Sequence, residues 1–294
     1  MNTCIDDDSK QYNGNEPSPL GLGYSADIEN IGRIMMGFDK FLWIVDHTKK
    51  WVEFNIDFDK LPDDCYSNAY CPNFEKCEDE TDETDETGLE NKFGGTIPFF
   101  IKGEKWPTFK DIPMVFAGQF IDPRYNNNEL YRIFLSIDNQ QEDSSDCDLS
   151  TNYIDKIILN EENLKNQIII EKPETYPNIK FTTFKLFKIN NWTHVRELKT
   201  YEFIVSRLSI PSNCNILLDE YMNHDNTPGF GIKIGGTPCY CQWKADSAKP
   251  SIYERNILQL TGCDFFSYDF GDCGIGHIIV DEYTKELYLE WDCC

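Results

Sequence analysis

One segment of this sequence occurs twice, first as Phe93-Gly94-Gly95-Thr96-Ile97-Pro98 and about 141 residues later as Ile234-Gly235-Gly236-Thr237-Pro238. Each copy is followed by an apolar segment that reaches a glutamine, Gln119 in one case and Gln259 in the other. The glutamine lies 25 positions after the first glycine of the first copy and 24 positions after that of the second. A duplication of this kind indicates repeated structural units. We therefore predict two related half-repeats, over residues 91–140 and 227–294.

The repeated segment has the composition of a sharp turn between strands. Its turn residues are Gly94, Gly95 and Pro98 in the first copy and Gly235, Gly236 and Pro238 in the second. Glycine adopts positive φ without steric cost, and proline fixes φ. We therefore expect both turns to have a structural role.

The two glutamines allow two interpretations. Gln119 and Gln259 each lie in an apolar segment that we predict to be a strand. A buried glutamine needs partners for its carbonyl oxygen and for its amide hydrogens. Either each glutamine holds a neighbouring loop in place, or each faces a ligand.

Apolar and β-branched segments predominate in the rest of the chain. They predict strands at residues 41–45, 51–58, 114–120, 130–137, 167–170, 179–189, 276–280 and 287–291. Helical spacing of apolar residues predicts a short helix over 28–35, a clearer helix over 195–208 and a short one over 215–222. The expected fold class is therefore α+β, a sheet-rich body built from two related half-repeats with a few helices.

The domain organisation follows from where the apolar pattern is missing. Residues 1–25 are acidic and polar with no apolar period, which predicts a disordered tail followed by a single body over residues 26–294. Within that body, residues 78–87 contain the triplet Asp-Glu-Thr three times and seven acidic residues in ten. Like charges in such number repel one another, so we predict a solvated low-complexity loop over residues 78–90.

Charge and composition restrict the partners. The 294 residues include 27 Lys plus Arg and 51 Asp plus Glu, a formal net charge of −24. This charge repels the phosphates of nucleic acids, so we do not expect nucleic acid as a partner. No apolar run spans a bilayer and residues 1–10 lack an apolar signal core, which predicts a cytoplasmic protein without membrane association. We expect the 12 cysteines to be mainly packed thiols.

The repeated motifs resemble those of the YwqG-like family of uncharacterised proteins. That family has a Phe-Gly-Gly-x-Pro turn, a Trp-Pro or Tyr-Pro step and a strand that ends in Ala-Gln. The first half of this sequence matches through Phe93-Gly94-Gly95, Trp106-Pro107 and Ala117-Gly118-Gln119, with Gly118 as an insertion. The second half matches through Gly235-Gly236-Thr237-Pro238 with Gln242, Leu258-Gln259, Gly271-Asp272-Cys273-Gly274 and Trp291-Asp292-Cys293.

The resemblance covers residues 91–294, and residues 139–226 match only loosely. It implies a mixed fold with much sheet, and it brings no established activity. The family's Asp-Pro-Arg step, expected shortly after the glutamine, is missing after Gln242, which is followed by Trp243-Lys244-Ala245. A site that uses that arginine is therefore in doubt.

Five polar residues are candidates for ligand binding: Gln119, Gln242, Gln259, Asp264 and Asp272. Polar side chains that converge in an apolar cleft are the usual form of a small-molecule site. The alternative for the two aspartates is that they accept hydrogen bonds from backbone N–H groups of the glycine-rich turn that follows them.

Two classes of function stay open. The sequence contains no Gly-x-Ser-x-Gly nucleophile motif and no phosphate-binding Gly-x-x-x-x-Gly-Lys loop, and its 4 histidines are dispersed. We therefore expect a non-catalytic binding or protein-interaction module without cofactor or metal, whose partner is an unknown protein or a small polar ligand. The alternative is an enzyme that acts on a small polar ligand in a pocket lined by Gln and Asp side chains.

Overall fold

The structure is a computed structural model. It describes residues 1–75, 88–125, 128–137, 147–170, 173, 186–210, 221–222, 225, 229, 231–240, 254–261 and 274–292. The chain forms two compact units, one of Met1–Ser67 with Arg196–Pro228 and one of Asn68–Val195 with Gly229–Cys294.

Strands make up most of the regular structure in the described residues. In chain order they are β1 (Asn2–Thr3), β2 (Gln11–Tyr12), β3 (Ile34–Met36), β4 (Leu42–Val45), β5 (Trp51–Glu53), β6 (Tyr66–Phe74), β7 (Lys92–Phe93), β8 (Phe100–Ile101), β9 (Thr108–Phe109), β10 (Ile112–Pro113), β11 (Val115–Ile121), β12 (Glu129–Ile137), β13 (Cys147–Ile158), β14 (Gln167–Ile168), β15 (Phe187–Leu198), β16 (Lys233–Gly235), β17 (Glu254–Thr261), β18 (Ile275–Asp281) and β19 (Leu287–Asp292). The α-helices are α1 (Glu161–Lys165) and α2 (Tyr201–Arg207), and short 3₁₀ helices cover Pro19–Leu22, Phe58–Lys60 and Asp63–Cys65.

The first unit contains a three-stranded antiparallel sheet in the order β3-β4-β5. Ile34 and Leu42 of this sheet are buried against Val205 of α2 and against Ile210. Within residues 1–25, β1 pairs with β2 and is followed by the 3₁₀ helix Pro19–Leu22. The strand predicted at residues 41–45 is confirmed by β4, and the one predicted at 51–58 is confirmed only over β5, which pairs with β4.

Two of the predicted helices need correction. The helix predicted over 28–35 is wrong, because Ile34 belongs to β3 and pairs with Ile44, while Ile28 and Ile31 are exposed. The helix predicted over 195–208 is confirmed only for α2, because residues up to Leu198 belong to β15. Thr200 caps α2 by accepting a hydrogen bond from the Phe203 N–H (3.3 Å), which sets the first turn. Most of the helix predicted over 215–222 and most of the acidic loop predicted over 78–90 lie outside the described residues, and residues 221–222 are helical.

The second unit contains a ten-stranded sheet in the order β13-β12-β11-β7-β15-β6-β16-β17-β18-β19. Its edge strands β13 and β19 lie close to each other, so the sheet curls towards a barrel. One apolar cluster lines the sheet and includes Phe93, Phe120, Ile234, Leu258 and Ile278. The prediction of a sheet-rich fold with few helices is thereby confirmed. None of the helices in the described ranges is long and apolar enough to cross a membrane.

The two glycine turns follow strands of matching register. β7 precedes the first turn and is the fourth strand from one edge of the sheet, and β16 reaches the second turn and is the fourth from the other edge. Lys92 of β7 pairs with Gln119 of β11, as Lys233 of β16 pairs with Gln259 of β17. Both β11 and β17 contain a β-bulge just before the glutamine. The bulge and the lysine–glutamine pair therefore stand in the same relation to each turn.

Candidate functional site

Both glycine turns have two consecutive residues at positive φ. The φ angles are 69° and 81° at Gly94 and Gly95, and 69° and 72° at Gly235 and Gly236. Residues with a Cβ adopt this region at a steric cost, so the sequence needs glycine at these places. The expected structural role of the turn glycines agrees with this backbone geometry.

A buried lysine closes each turn. The Lys92 ammonium donates to the Ile97 carbonyl oxygen at 2.6 Å, and the Lys233 ammonium donates to the Thr237 carbonyl oxygen at 2.7 Å. Both lysine side chains are almost completely removed from solvent. A buried ammonium group needs such acceptors, because its desolvation is costly when it is left unpaired.

Gln119 is fully buried and bonds only to backbone groups in the described part of the chain. Its carbonyl oxygen accepts from the Phe99 N–H at 2.8 Å. Its amide donates to the carbonyl oxygens of Gly88 and Glu90, both at 2.9 Å. Gln119 therefore holds the segments before and after the first glycine turn together.

Gln259 makes the corresponding bonds at the second turn. Its carbonyl oxygen accepts from the Cys239 N–H at 2.8 Å, and its amide donates to the carbonyl oxygens of Gly229 (3.2 Å) and Gly231 (3.0 Å). The other candidate ligand-binding residues, Gln242, Asp264 and Asp272, lie outside the described residues. Their convergence with Gln119 and Gln259 in one cleft stays a prediction.

A cavity of ≈ 290 Å³ lies beside the second glycine turn, within the second unit. Its walls combine cationic, aromatic and apolar side chains with the glycine backbone. The lining residues are Arg124, Gly235, Gly236, Pro238, Tyr240, Arg255, Asn256, His277 and Ile279. A small apolar cavity with a few convergent polar groups is the usual form of a ligand site.

Arg124 enters this cavity from the turn after β11 and is held by Asp122. The fully buried Asp122 carboxylate accepts from the Arg124 backbone N–H (2.9 Å), from Nε (3.0 and 3.1 Å) and from Nη2 (2.6 Å). The third guanidinium nitrogen, Nη1, has no hydrogen-bond partner among the described residues. It lies against Gly235, where a Cβ would come within 2.9 Å of it.

Arg255 lies in β17 and is held in a comparable way. Its Nε donates to a Glu282 carboxylate oxygen at 2.5 Å and its Nη1 donates to the Tyr125 hydroxyl at 2.7 Å. Burial alone would lower the pKa of Arg255, but the hydrogen bond with Glu282 raises it. Lys285 and Arg255 together hold the pKa of the Glu282 carboxyl at about 2. Arg255 is therefore a permanent cation.

Tyr125 links the two arginines. The guanidinium carbons of Arg124 and Arg255 each lie 5.5 Å from the centre of the Tyr125 ring, within the range of a cation–π interaction. This contact brings both cations to one region of the cavity wall. Arg255 Nη2, like Arg124 Nη1, has no partner in the part of the chain that the structure describes.

Tyr240 and His277 form another part of the wall. Their ring centres are 4.7 Å apart and the ring planes are inclined by 41°. His277 is buried in β18, where it pairs across the sheet with Gln259. The Tyr240 ring therefore rests on a side chain whose position the sheet fixes.

This arrangement is suited to holding an anionic group. A carboxylate binds one edge of each guanidinium group and so orients it. Other N–H groups of the same guanidinium have no partner among the described residues. Guanidinium groups bind carboxylates and phosphates through paired, charge-assisted hydrogen bonds. The walls next to them, formed by Tyr240, Pro238 and Ile279, are mainly apolar.

Sequence reasoning missed both arginines, although one had a signal. The Asp-Pro-Arg step that was expected after Gln242 occurs after the other glutamine, as Asp122-Pro123-Arg124. The step is therefore missing only in the second half, and Arg124 of the first half lines the cavity. Arg255 has no local motif that would have indicated its role.

Comparison with known proteins assigns neither a family nor a function to this chain. The cavity and its two arginines are therefore the basis for a functional inference. No protein-family model matches the chain, and no curated protein matches it significantly.

Proposed function

We propose that this chain is a non-catalytic binding module whose ligand is a small molecule with a carboxylate or phosphate group. The observation that carries the proposal is the presence of Arg124 and Arg255 in one cavity, both oriented by carboxylates and linked by Tyr125. Oriented guanidinium groups bind an anion at a lower entropic cost than mobile ones. In a chain of net charge −24, two cations at one cavity also make that cavity a preferred place for an anion.

We also propose that the chain is a YwqG-like protein whose residues 91–140 and 227–294 are related half-repeats. The support comes from the repeated glycine turn and from the paired registers of Lys92 with Gln119 and of Lys233 with Gln259. The alternative function, an enzyme with a pocket of Gln and Asp side chains, stays a prediction. Gln119 and Gln259 bond to backbone groups, which argues against their lining such a pocket.

Replacing either cavity arginine by glutamine is expected to weaken anion binding at least tenfold. The reason is that one charge-assisted contact contributes on the order of 1.5–3 kcal/mol. Isothermal titration calorimetry with sodium phosphate and with sodium acetate would compare wild type, Arg124→Gln and Arg255→Gln. The matched control is Arg207→Gln, because Arg207 also binds a carboxylate, that of Asp64, but lies in the first unit.

The proposal requires that the Arg207→Gln protein binds both anions as wild type does. Equal affinity in all four proteins would show that the anions associate nonspecifically with the surface. Absence of saturable binding of phosphate and acetate to wild type would contradict the proposed anion site directly.

A pair of glycine substitutions separates backbone strain from the effect on Arg124. Gly94 and Gly235 have the same φ of 69°, so alanine is expected to destabilise either turn by about 1 kcal/mol. Only at Gly235 would the new Cβ displace the Arg124 guanidinium. Calorimetry should therefore show weaker anion binding in Gly235→Ala and unchanged binding in Gly94→Ala. Equal binding by both variants would mean that Arg124 does not need its place against Gly235.

A further inference from the structure

We propose that the ligand of this cavity is a small aromatic acid, a single ring with one carboxylate or phosphate group. Its ring would lie against Tyr240, and its acid group would bind Arg124 and Arg255. This inference rests on the proposed anion site and adds the chemistry of the rest of the ligand.

Two strand pairs, one near each glycine turn, have equal register relative to the β-bulge. Phe116 of β11 pairs with Phe134 of β12, immediately before the β-bulge. Asn256 of β17 pairs with Ile279 of β18, also immediately before the bulge. The two phenylalanines near the first glycine turn therefore correspond in position to an asparagine and an isoleucine near the second turn.

Rings fill the space at the first turn. The Phe116 and Phe134 ring centres are 5.4 Å apart, and the Trp106 ring meets Phe134 edge to face at 5.8 Å. All three side chains are buried. At the second turn, Asn256 and Ile279 carry no ring, and both line the cavity. The cavity thus lies where the strand pair at the first turn carries aromatic side chains.

The two glycine turns have a similar wall next to these strand pairs. At the first turn, the Arg132 guanidinium lies 5.0 Å from the centre of the Phe100 ring. At the second turn, His277 pairs with Gln259 as Arg132 pairs with Gln119, and His277 lies 4.7 Å from Tyr240. An aromatic ring supported by a nitrogen-bearing side chain is therefore present at both turns.

Carboxylate groups also lie near the first glycine turn. Glu104 and Asp155 bind Arg132 there through their carboxylates, next to the buried rings. The chain thus supplies both rings and carboxylates at the first turn. At the second turn the described residues supply the supporting ring and, in Arg124 and Arg255, two cations that can bind an acid group. A ligand with a ring and an acid group would supply the ring that this strand pair lacks and an anion for the two cations.

The size of the cavity favours one ring. A volume of ≈ 290 Å³ is near the lower limit of pockets that enclose small molecules, about 300 Å³. A water molecule takes about 30 Å³, so an acetate or phosphate ion alone would leave most of the space unfilled. A ring on a preformed aromatic wall adds favourable contact without ordering a mobile side chain.

Calorimetry can test this with matched ligands. Phenyl phosphate is compared with inorganic phosphate, and benzoate with acetate, so that the two arms also distinguish phosphate from carboxylate as the acid group. We expect at least tenfold tighter binding of the aromatic acid in one arm or both. Equal affinity within both arms would overturn the inference, while the proposed anion site would still stand on its dependence on Arg124.

Two substitutions at Asn256 provide the second test. Asn256→Phe places a ring at the position that corresponds to Phe116 of the first turn. This ring should fill the cavity and abolish the tighter binding of the aromatic acid. Asn256→Ala removes the same amide but leaves the space open, and should keep that advantage. Thermal unfolding of both variants verifies that they are folded. An undiminished advantage in a folded Asn256→Phe protein would contradict the inference, even if wild type prefers the aromatic acids.

Discussion

Replacing Arg132 by alanine is expected to lower the free energy of unfolding by about 4 kcal/mol. Arg132 is buried and donates to Asp155, to Glu104 and to the Phe99 carbonyl oxygen. Burial alone would lower the pKa of Arg132, but its hydrogen bonds and charge interactions with Asp155 and Glu104 raise it, so it stays charged. Alanine would leave the two partly buried carboxylates without their cation. Denaturation in urea would measure the loss.

A triple variant serves as the control for this result. Arg132→Met with Glu104→Gln and Asp155→Asn removes all three charges at once. Replacing a whole buried ionic group by neutral side chains is often close to neutral in stability, whereas removing one member is costly. We therefore expect the triple variant to be more stable than Arg132→Ala. If it is equally destabilised, the loss comes from packing and not from the unpaired carboxylates.

Replacing Gln119 or Gln259 by leucine is expected to cost about 3 kcal/mol in either case. Leucine has a similar size but cannot bond to the Phe99 N–H or to the Gly88 and Glu90 carbonyl oxygens, which would then be buried without this partner. Gln259→Leu removes the corresponding bonds at the second turn. Urea denaturation of both variants is the measurement.

The control for the glutamines is Gln11→Leu, because Gln11 is exposed in β2. A surface substitution of this kind usually changes stability by less than about 0.5 kcal/mol. If Gln119→Leu and Gln259→Leu behave like Gln11→Leu, the backbone bonds of the two glutamines contribute little to stability. A large loss at Gln119 with none at Gln259 would argue against related roles at the two turns.

Local sequence patterns predicted a strand or helix correctly where the pattern of apolar residues agrees with the pairing of that segment in the folded protein. The alternation in residues 51–58 predicted a strand, which the structure contains only over Trp51–Glu53 as β5. The apolar runs near the end of the chain predicted β18 and β19. The helix over residues 28–35 failed, because helical spacing of four apolar residues is compatible with other structures. Pairing of Ile34 with Ile44 favours a strand there, and a partner strand is not part of a local pattern.

The sequence by itself determined the two glycine turns and the apolar strands that contain Gln119 and Gln259. Glycine, proline and buried glutamine have strong local requirements, so their repeated spacing was informative. Only the tertiary structure decided that Arg124 and Arg255 meet at one cavity. The Arg255 side chain bonds to Tyr125 across 130 residues of sequence, through the order of strands in the sheet. Since no local pattern specifies which distant strands share a sheet, the arginine pair is a property of the folded chain.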